Sequence, residues 1–345
     1  MSERGGIRHP FPEPPAQGAA VEVADGILWM RLPLPMALDH VNVYALADDD
    51  GWTIVDTGFD SRKGRALWEA LLEGPLAGRP VARVLVTHHH PDHVGLAGWF
   101  VGQGAELLMP RTGWLMARML VLDVQPSYTP EALAFYRLAG MDAGLMEARA
   151  EERPFNFADC VAPLPPGFTR IVDGQRLRLG GRDWTVRMGD GHAPEHATLW
   201  SAEETGGLVI GGDQLLPSIS PNLGVYPNEP LADPVGDWLD ACARLAPFAR
   251  EDQLVLPGHK LPFTGLPTRM RQLAENHLGT LERLRAFLAE PRTGAECFGT
   301  IFKREIGPKE YGLALAETVG HLNHLLLRGE VRRREQDGVW RWQAV

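Results

Sequence analysis

The feature that most constrains this chain is a cluster of histidines that directly follows an apolar segment. The β-branched run from Val81 to Thr87 predicts a buried strand, and Thr-His-His-His-Pro-Asp-His occupies residues 87–93. The spacing H-x-H-x-D-H offers four ligand side chains: His88, His90, Asp92 and His93. Imidazole and carboxylate groups suit zinc, iron or manganese, and steps of two residues can aim neighbouring side chains at adjacent positions. We therefore expect a metal site where this strand ends.

Other polar residues follow other apolar segments in the same way. Each comes after an expected strand, beside a glycine or a tight turn: Asp56 in Asp-Thr-Gly, His192 in Gly-His, Asp213 in Gly-Gly-Asp and His259 in Pro-Gly-His. Taken singly, each would be an ordinary loop residue. Catalytic groups are often carried by loops on a rigid scaffold, so strand ends that meet at one rim would gather these side chains. Together with the histidine cluster, they indicate one composite site.

Composition bounds the fold class and the compartment. The chain has 345 residues, 44% of them hydrophobic, which is ample for a core, and expected strands and helices alternate in an α/β or α+β manner. No run of about 18 apolar residues predicts a membrane span, and the start lacks the apolar core of a secretory signal. Three isolated cysteines, Cys160, Cys242 and Cys297, suggest a reducing compartment. We therefore expect a cytoplasmic protein.

The charge distribution bears on partners. The net charge is −10, from 34 basic and 44 acidic residues, and an acidic chain repels polyanions. Residues 291–345 carry nine basic and seven acidic residues, including the run Arg332–Arg334, but nucleic-acid modules usually show a stronger basic footprint. We expect a small-molecule substrate and no nucleic-acid or membrane partner.

The ordered set of motifs resembles the metallo-β-lactamase superfamily over roughly residues 21–275. The resemblance implies an α+β fold, an αββα sandwich with a dinuclear site at one edge of its two sheets. It implies three groups of ligands: His88, His90 and His192 for one metal; Asp92, His93 and His259 for the other; and Asp213 bridging both. Asp56 would support the ligand loop. The implied cofactors are two divalent metal ions, with zinc favoured and iron or manganese as alternatives.

The resemblance also implies a reaction. Two divalent cations about 3.5–4 Å apart lower the pKa of a bridging water, and the resulting hydroxide attacks an electrophilic carbonyl. Asp92 and Asp213 are the catalytic candidates. Asp213, where the best-known β-lactamases carry cysteine, is similar to the glyoxalase II group of thioester hydrolases. Residues 191–196 read Gly-His-Ala-Pro-Glu-His, however, so Glu195 replaces a glycine of that group. We expect a metal-dependent hydrolase of a thioester, ester or lactone.

Three alternatives remain open at this point. An endoribonuclease or phosphodiesterase is suggested by the C-terminal segment, where a helix and then two strands resemble a winged helix. An iron-dependent persulfide dioxygenase-like enzyme is a second alternative because the motif does not select the metal. A non-catalytic binding module is disfavoured, since it has no need of the complete ligand set.

The chain is expected to have an N-terminal arm at 1–20, a catalytic domain at 21–290 and a winged-helix-like domain at 291–345. A Met-rich helical insertion at about 112–156 has three interpretations: a lid for a lipophilic substrate, core packing, or a contact in a homodimer. His196 is expected to support the site or to be structural. Two residues are weaker candidates for substrate contact: His40 and Tyr226.

Overall fold

The computed structural model describes residues 6–345, which divide into two compact units. The first comprises the described residues up to Val124 together with Asn156–Ser220 and Leu245–Met270. The second comprises Gln125–Phe155, Pro221–Arg244 and Arg271–Val345. Of the N-terminal arm expected at 1–20, residues 1–5 lie outside the described part.

The first unit contains a seven-stranded sheet whose strands follow chain order. They are β1 (Val21–Ala24), β2 (Ile27–Pro33), β3 (His40–Asp48), β4 (Gly51–Val55), β5 (Val81–Leu85), β6 (Glu106–Met109) and β7 (Thr169–Arg170). Neighbours from β1 to β4 are antiparallel, and those from β4 to β7 are parallel. The carboxyl ends of β4 and β5 therefore lie at the same edge.

A five-stranded sheet in the same unit has the order β12-β11-β10-β9-β8. Its strands are β8 (Arg176–Leu179), β9 (Arg182–Gly189), β10 (His196–Ser201), β11 (Leu208–Gly212) and β12 (Leu254–Pro257). Only β11 and β12 pair in parallel within this sheet, so Asp213 and His259 follow neighbouring strand ends.

Apolar layers hold these elements together. One layer lies between the two sheets and includes Trp29 and Leu46 from the first and Trp184 from the second. Another packs the first sheet against helices α1 (Arg62–Glu73), α2 (Pro91–Val94), α3 (Ala97–Val101) and α4 (Arg111–Leu122). A third covers the outer face of the second sheet and includes Trp200 and Met270. The predicted α+β class, with two sheets flanked by helices, is confirmed.

The second unit is mainly helical. Its helices are α5 (Pro130–Leu138), α6 (Ala143–Glu151), α7 (Pro234–Leu245), α8 (Leu266–Phe287), α9 (Phe298–Phe302) and α10 (Tyr311–Leu327), with α7 ending and α8 beginning in segments of the first unit. After α10 comes an antiparallel hairpin, β13 (Val331–Gln336) and β14 (Val339–Ala344), in a small C-terminal domain. The helix-then-hairpin order matches the expectation, and its winged-helix character stays a prediction.

The region expected as a helical insertion is divided between the units: α4 belongs to the first, α5 and α6 to the second. Within residues 6–345, no helix combines the length and the apolar character needed to cross a membrane.

Candidate metal centre

The histidine cluster begins two residues farther from the end of the strand than the sequence suggested. β5 ends at Leu85 rather than at Thr87, and a one-turn helix, α2, starts at Pro91. Proline is well suited to this first helical position because its missing N–H would have no partner there. The bends before the helix bring Nε2 of His88 within 3.0 Å of Nδ1 of His90.

His192 completes a group of three imidazoles. It lies in the turn between β9 and β10, and its Nε2 is 3.0 Å from Nδ1 of His90. One nitrogen each of His88, His90 and His192 lies within 4.8 Å of the others. Residues far apart in the chain therefore form a set of neighbouring nitrogen donors.

A second group combines Asp92, His93 and His259. Nε2 of His259 is 3.4 Å from Oδ2 of Asp92, and Nε2 of His93 is 3.6 Å from that same oxygen. Asp213 lies between the two groups, with its carboxylate oxygens 3.5 Å from His93, 3.5 Å from His192 and 3.2 Å from His259. The structure thus brings together all seven side chains that the sequence suggested as ligands.

The donor set fits divalent cations. Nε2 of His93 and Oδ1 of Asp213 are buried, and neither has a hydrogen-bond partner among residues 6–345. A buried polar atom without a partner is costly, and a cation between these atoms would remove that cost. Imidazole and carboxylate donors are those that zinc, iron and manganese accept.

Charge within the site differs between the two groups. Burial opposes a charge on His93, but Asp213, Asp92 and Asp56 outweigh it and raise its pKa well above the ordinary value. At His259, Asp213 and Asp92 likewise outweigh burial and raise the pKa to about 10. Burial lowers the pKa values of His88 and His90 well below the ordinary value. A cation bound by Asp92, His93 and His259 would displace the protons on the two histidines, so we expect the affinity of this group for the cation to rise with pH.

Asp56 supports the histidine loop from the end of β4. Its carboxylate accepts hydrogen bonds from the backbone N–H of Thr87 at 2.8 Å and from Nδ1 of His93 at 2.8 Å. Thr87 Oγ1 also lies 2.9 Å from Asp56 Oδ2 and 3.0 Å from His88 Nδ1. Groups of this kind fix the orientation and tautomer of ligating histidines.

His40 supports His259, and its expected contact with substrate stays a prediction. Its backbone carbonyl accepts from Nδ1 of His259 at 2.7 Å. Its ring nitrogens are both engaged, with Nε2 accepting from the Lys260 N–H at 3.0 Å and Nδ1 lying 2.6 Å from Asp39 Oδ1. The contact with His259 joins residues 219 positions apart, so no local sequence signal could have revealed it.

His196 lies beneath the ligands, fully buried. Its ring stacks on His88 with centroids 4.5 Å apart, and its Nε2 accepts from the Asp213 N–H at 3.1 Å. Two neighbouring positions have room only for glycine. A Cβ on Gly212 would lie 2.5 Å from the His196 ring, and a Cβ on Gly258 would lie 2.3 Å from Asp213 Oδ1.

Tyr226 belongs to the second unit, whereas the ligand groups belong to the first. Its side chain is 42% exposed, and its hydroxyl lies 3.5 Å from Oδ1 of Asn222. Its expected contact with substrate stays a prediction.

A model described as the metallo-β-lactamase superfamily matches residues 36–291. The chain belongs to this superfamily. A second model, described as the metallo-β-lactamase-like C-terminal domain, matches residues 281–345.

Several members of the superfamily resemble the chain over nearly its whole length. A β-lactamase domain protein from Burkholderia ambifaria is 36% identical, with a TM-score of 0.89 and coverage of 98% of both chains. A metallo-β-lactamase family protein from Thermus thermophilus is 28% identical, with a TM-score of 0.78, covering 94% of this chain and 100% of that one. The probable metallo-hydrolase YqjP of Bacillus subtilis (strain 168) is 27% identical over 314 residues, which is 87% of this chain and 92% of the relative.

Proposed function

We propose that the protein is a hydrolase that depends on two divalent metal ions, with zinc favoured. The observation that carries the proposal is the pair of ligand groups that share the carboxylate of Asp213. His88, His90 and His192 would hold one cation; Asp92, His93 and His259 would hold the other. Two such ions, when bound, lower the pKa of a water and polarise a substrate carbonyl.

The chain's own residues set the conditions for that chemistry. Asp213 would hold both cations, and Asp92 would orient the attacking water because its carboxylate is 15% exposed while His93 beside it is fully buried. His40 and Asp56 would keep Nε2 of His259 and of His93 directed at the cation. No serine or cysteine nucleophile is needed, and all three cysteines are buried.

The proposed substrate is an ester, thioester or lactone with an apolar part. Helix α4 carries three exposed apolar side chains at positions that share one helix face, with Leu115 52%, Met119 46% and Leu122 68% exposed. The same helix begins beside the ligand loops, because the backbone N–H of Thr112 is bonded to Glu195. An acyl chain lying on this face would cover otherwise exposed apolar surface.

The basic run in the second unit gives little support to RNA cleavage. The guanidinium of Arg333 lies 4.1 Å from the ring centroid of Trp340, and Nη2 of Arg332 donates to Gln343 at 2.7 Å. Two of the three arginines thus take part in contacts across their own hairpin.

Metal analysis of the purified protein, combined with a substrate panel, tests the proposal. We expect close to two metal ions per chain, loss of activity on chelation, and turnover of acyl esters, thioesters or lactones. The panel includes single-stranded RNA and a persulfide with oxygen uptake as readout. Absence of bound metal, or activity that resists chelation, would contradict the proposal. If only RNA or only the persulfide is turned over, and this depends on metal, the protein is metal-dependent but the proposed ester, thioester or lactone substrate is wrong.

A further inference from the structure

Glu195 adopts a backbone conformation that favours glycine. It lies three residues after His192 in the turn between β9 and β10, with φ of 49°. Side chains with a Cβ rarely occupy this left-handed region, and glycine enters it at lower cost. The contacts of the Glu195 side chain are what a glycine at this position would lack.

The carboxylate of Glu195 binds the start of helix α4. Its Oε2 accepts from the backbone N–H of Thr112 at 2.5 Å, and its Oε1 lies 3.4 Å from Nη2 of Arg170. Pro110, which precedes the helix, has no side-chain acceptor to cap it. Glu195 thus supplies the cap from another loop, and its negative charge suits the positive end of the helix.

The anchored helix start also lies against the histidine loop. A Cβ on Gly113 would come within 3.9 Å of the backbone nitrogen of His89 and 3.3 Å of Cε of Met109. The turn itself is closed by the Glu195 N–H, which donates to Oδ1 of Asp190 at 3.0 Å. Helix α4 is therefore in contact with both loops that carry the three-histidine group.

We infer that Glu195 is a positioning residue for His192. By fastening the turn to α4, its carboxylate keeps Nε2 of His192 at 3.0 Å from Nδ1 of His90. The inference rests on the proposed metal function. It assigns Glu195 to the cation of the three-histidine group. The other group is supported by separate hydrogen bonds, from His93 to Asp56 and from His259 to the carbonyl of His40.

The ionisation of Glu195 agrees with this role. Burial favours the neutral acid, but hydrogen bonds from Thr112 and the charge of Arg170 outweigh it and lower the pKa of the carboxyl group. The acceptor is a carboxylate at neutral pH, which is the form that stabilises a helix start.

Three substitutions separate the carboxylate from the backbone effect. Glu195→Gly relieves the left-handed backbone but removes the anchor. Glu195→Asp also tolerates this backbone region, and its shorter side chain retracts from Thr112. Glu195→Gln keeps an oxygen that can accept from Thr112, so it serves as the conservative rescue.

The readout is the affinity of each variant for its two metals, measured by metal analysis after equilibration with graded chelator and by the absorption spectrum of the cobalt-substituted protein. We expect Glu195→Gly and Glu195→Asp to bind one of the two metals about 10- to 100-fold more weakly. The second metal should stay at wild-type affinity, and Glu195→Gln should bind both nearly as well as the wild type.

Ser61→Ala is the matched control, because Ser61 Oγ caps α1 in the same unit by accepting from Gly64 N at 2.9 Å. This variant should lose stability but keep both metals. If Glu195→Gly and Glu195→Asp fold and hold both metals at wild-type affinity, the inference is wrong but the proposed function stands. The same holds if Ser61→Ala also loses one metal selectively. A wild-type protein that binds no divalent cation would overturn the proposed function and the inference with it.

Discussion

His93 and Asp56 form a buried hydrogen bond in which Nδ1 of the imidazole donates to Oδ2 at 2.8 Å, with the side chains 0% and 4% exposed. Nε2 faces Asp92 and Asp213, at 3.6 and 3.5 Å. When a cation displaces the proton from Nε2, the proton that stays on Nδ1 leaves Nε2 with its lone pair toward that cation. The bond thus selects the tautomer that a metal ligand needs.

Replacing Asp56 with Asn should weaken metal binding at His93. The amide tolerates the left-handed backbone at this position, where φ is 58°, but it has only one acceptor oxygen. Its NH₂ group would face the N–H of either His93 or Thr87, so one of the two hydrogen bonds that hold the histidine loop is lost. We expect about a 10- to 100-fold loss of affinity for one metal, measured by competition with a chelator. Asp60→Asn weakens a partly buried ion pair with Arg65 and should leave metal binding unchanged. If Asp56→Asn binds both metals as tightly as Asp60→Asn does, Asp56 does not support metal binding.

Asp213→Ala should abolish turnover without unfolding the protein. The substitution removes a carboxylate that faces three imidazoles, while the apolar layers of the first unit stay intact. We expect metal affinity to fall by more than the roughly 10- to 100-fold typical of supporting residues. Metal content and activity give the functional readout, and near-ultraviolet circular dichroism reports the fold. Retention of turnover would contradict the bridging role.

Met119→Asn should reduce the preference for long acyl chains. Covering an apolar side chain contributes roughly 1.5–3 kcal/mol, so we expect about a tenfold or larger rise in KM for long-chain esters. Short-chain esters should show a much smaller change. Leu278→Asn provides a control at an apolar residue of α8 with a similar exposure of 49%. An unchanged chain-length profile in Met119→Asn would argue that α4 contacts something other than substrate.

The second unit should lose stability in acid because of two buried histidines. Nδ1 of His321 donates to the Glu317 carbonyl, and its Nε2 lies 3.1 Å from Nδ1 of His277. Burial lowers the pKa values to about 3 for His277 and about 4 for His321. Because the unfolded value is about 6.5, the unfolded chain binds more protons below that pH.

The unfolding free energy should therefore fall as pH decreases from about 6.5, by roughly 1.4 kcal/mol per pH unit for each histidine. His277→Gln can still donate to His321 and should reduce the loss between pH 6.5 and pH 5 by about 2 kcal/mol. Denaturant unfolding of both proteins at the two pH values measures this. An identical loss in wild type and variant would show that His277 does not cause the acid sensitivity.

The seven candidate ligands could be selected from the sequence because each follows a local pattern, an apolar strand that ends in a turn, and the structure brings them together. It also predicted the helix-then-hairpin order near the C-terminus. The end of β5 was predicted wrongly. The β-branched residues continue to Thr87, so the sequence placed the end of β5 two residues beyond Leu85.

Two of the supporting contacts, unlike that of Asp56, could not be predicted from the sequence. Glu195 and Thr112 are 83 positions apart, and His259 and His40 are 219 apart. In both pairs one partner is a backbone group, which has no residue-type signature. Only the pairing of strands and the packing of helices places such groups together.

Each ligand group draws on both sheets. His88 and His90 follow a strand of the first sheet and His192 belongs to the second; Asp92 and His93 likewise come from the first and His259 from the second. A cation bound by either group would therefore be a non-covalent cross-link between the sheets, in a protein whose three thiols are buried and free. A free metal concentration of about one hundred times Kd would add roughly 2.7 kcal/mol to the stability of the folded state. The thermal stability of the protein would then report the metal supply around it.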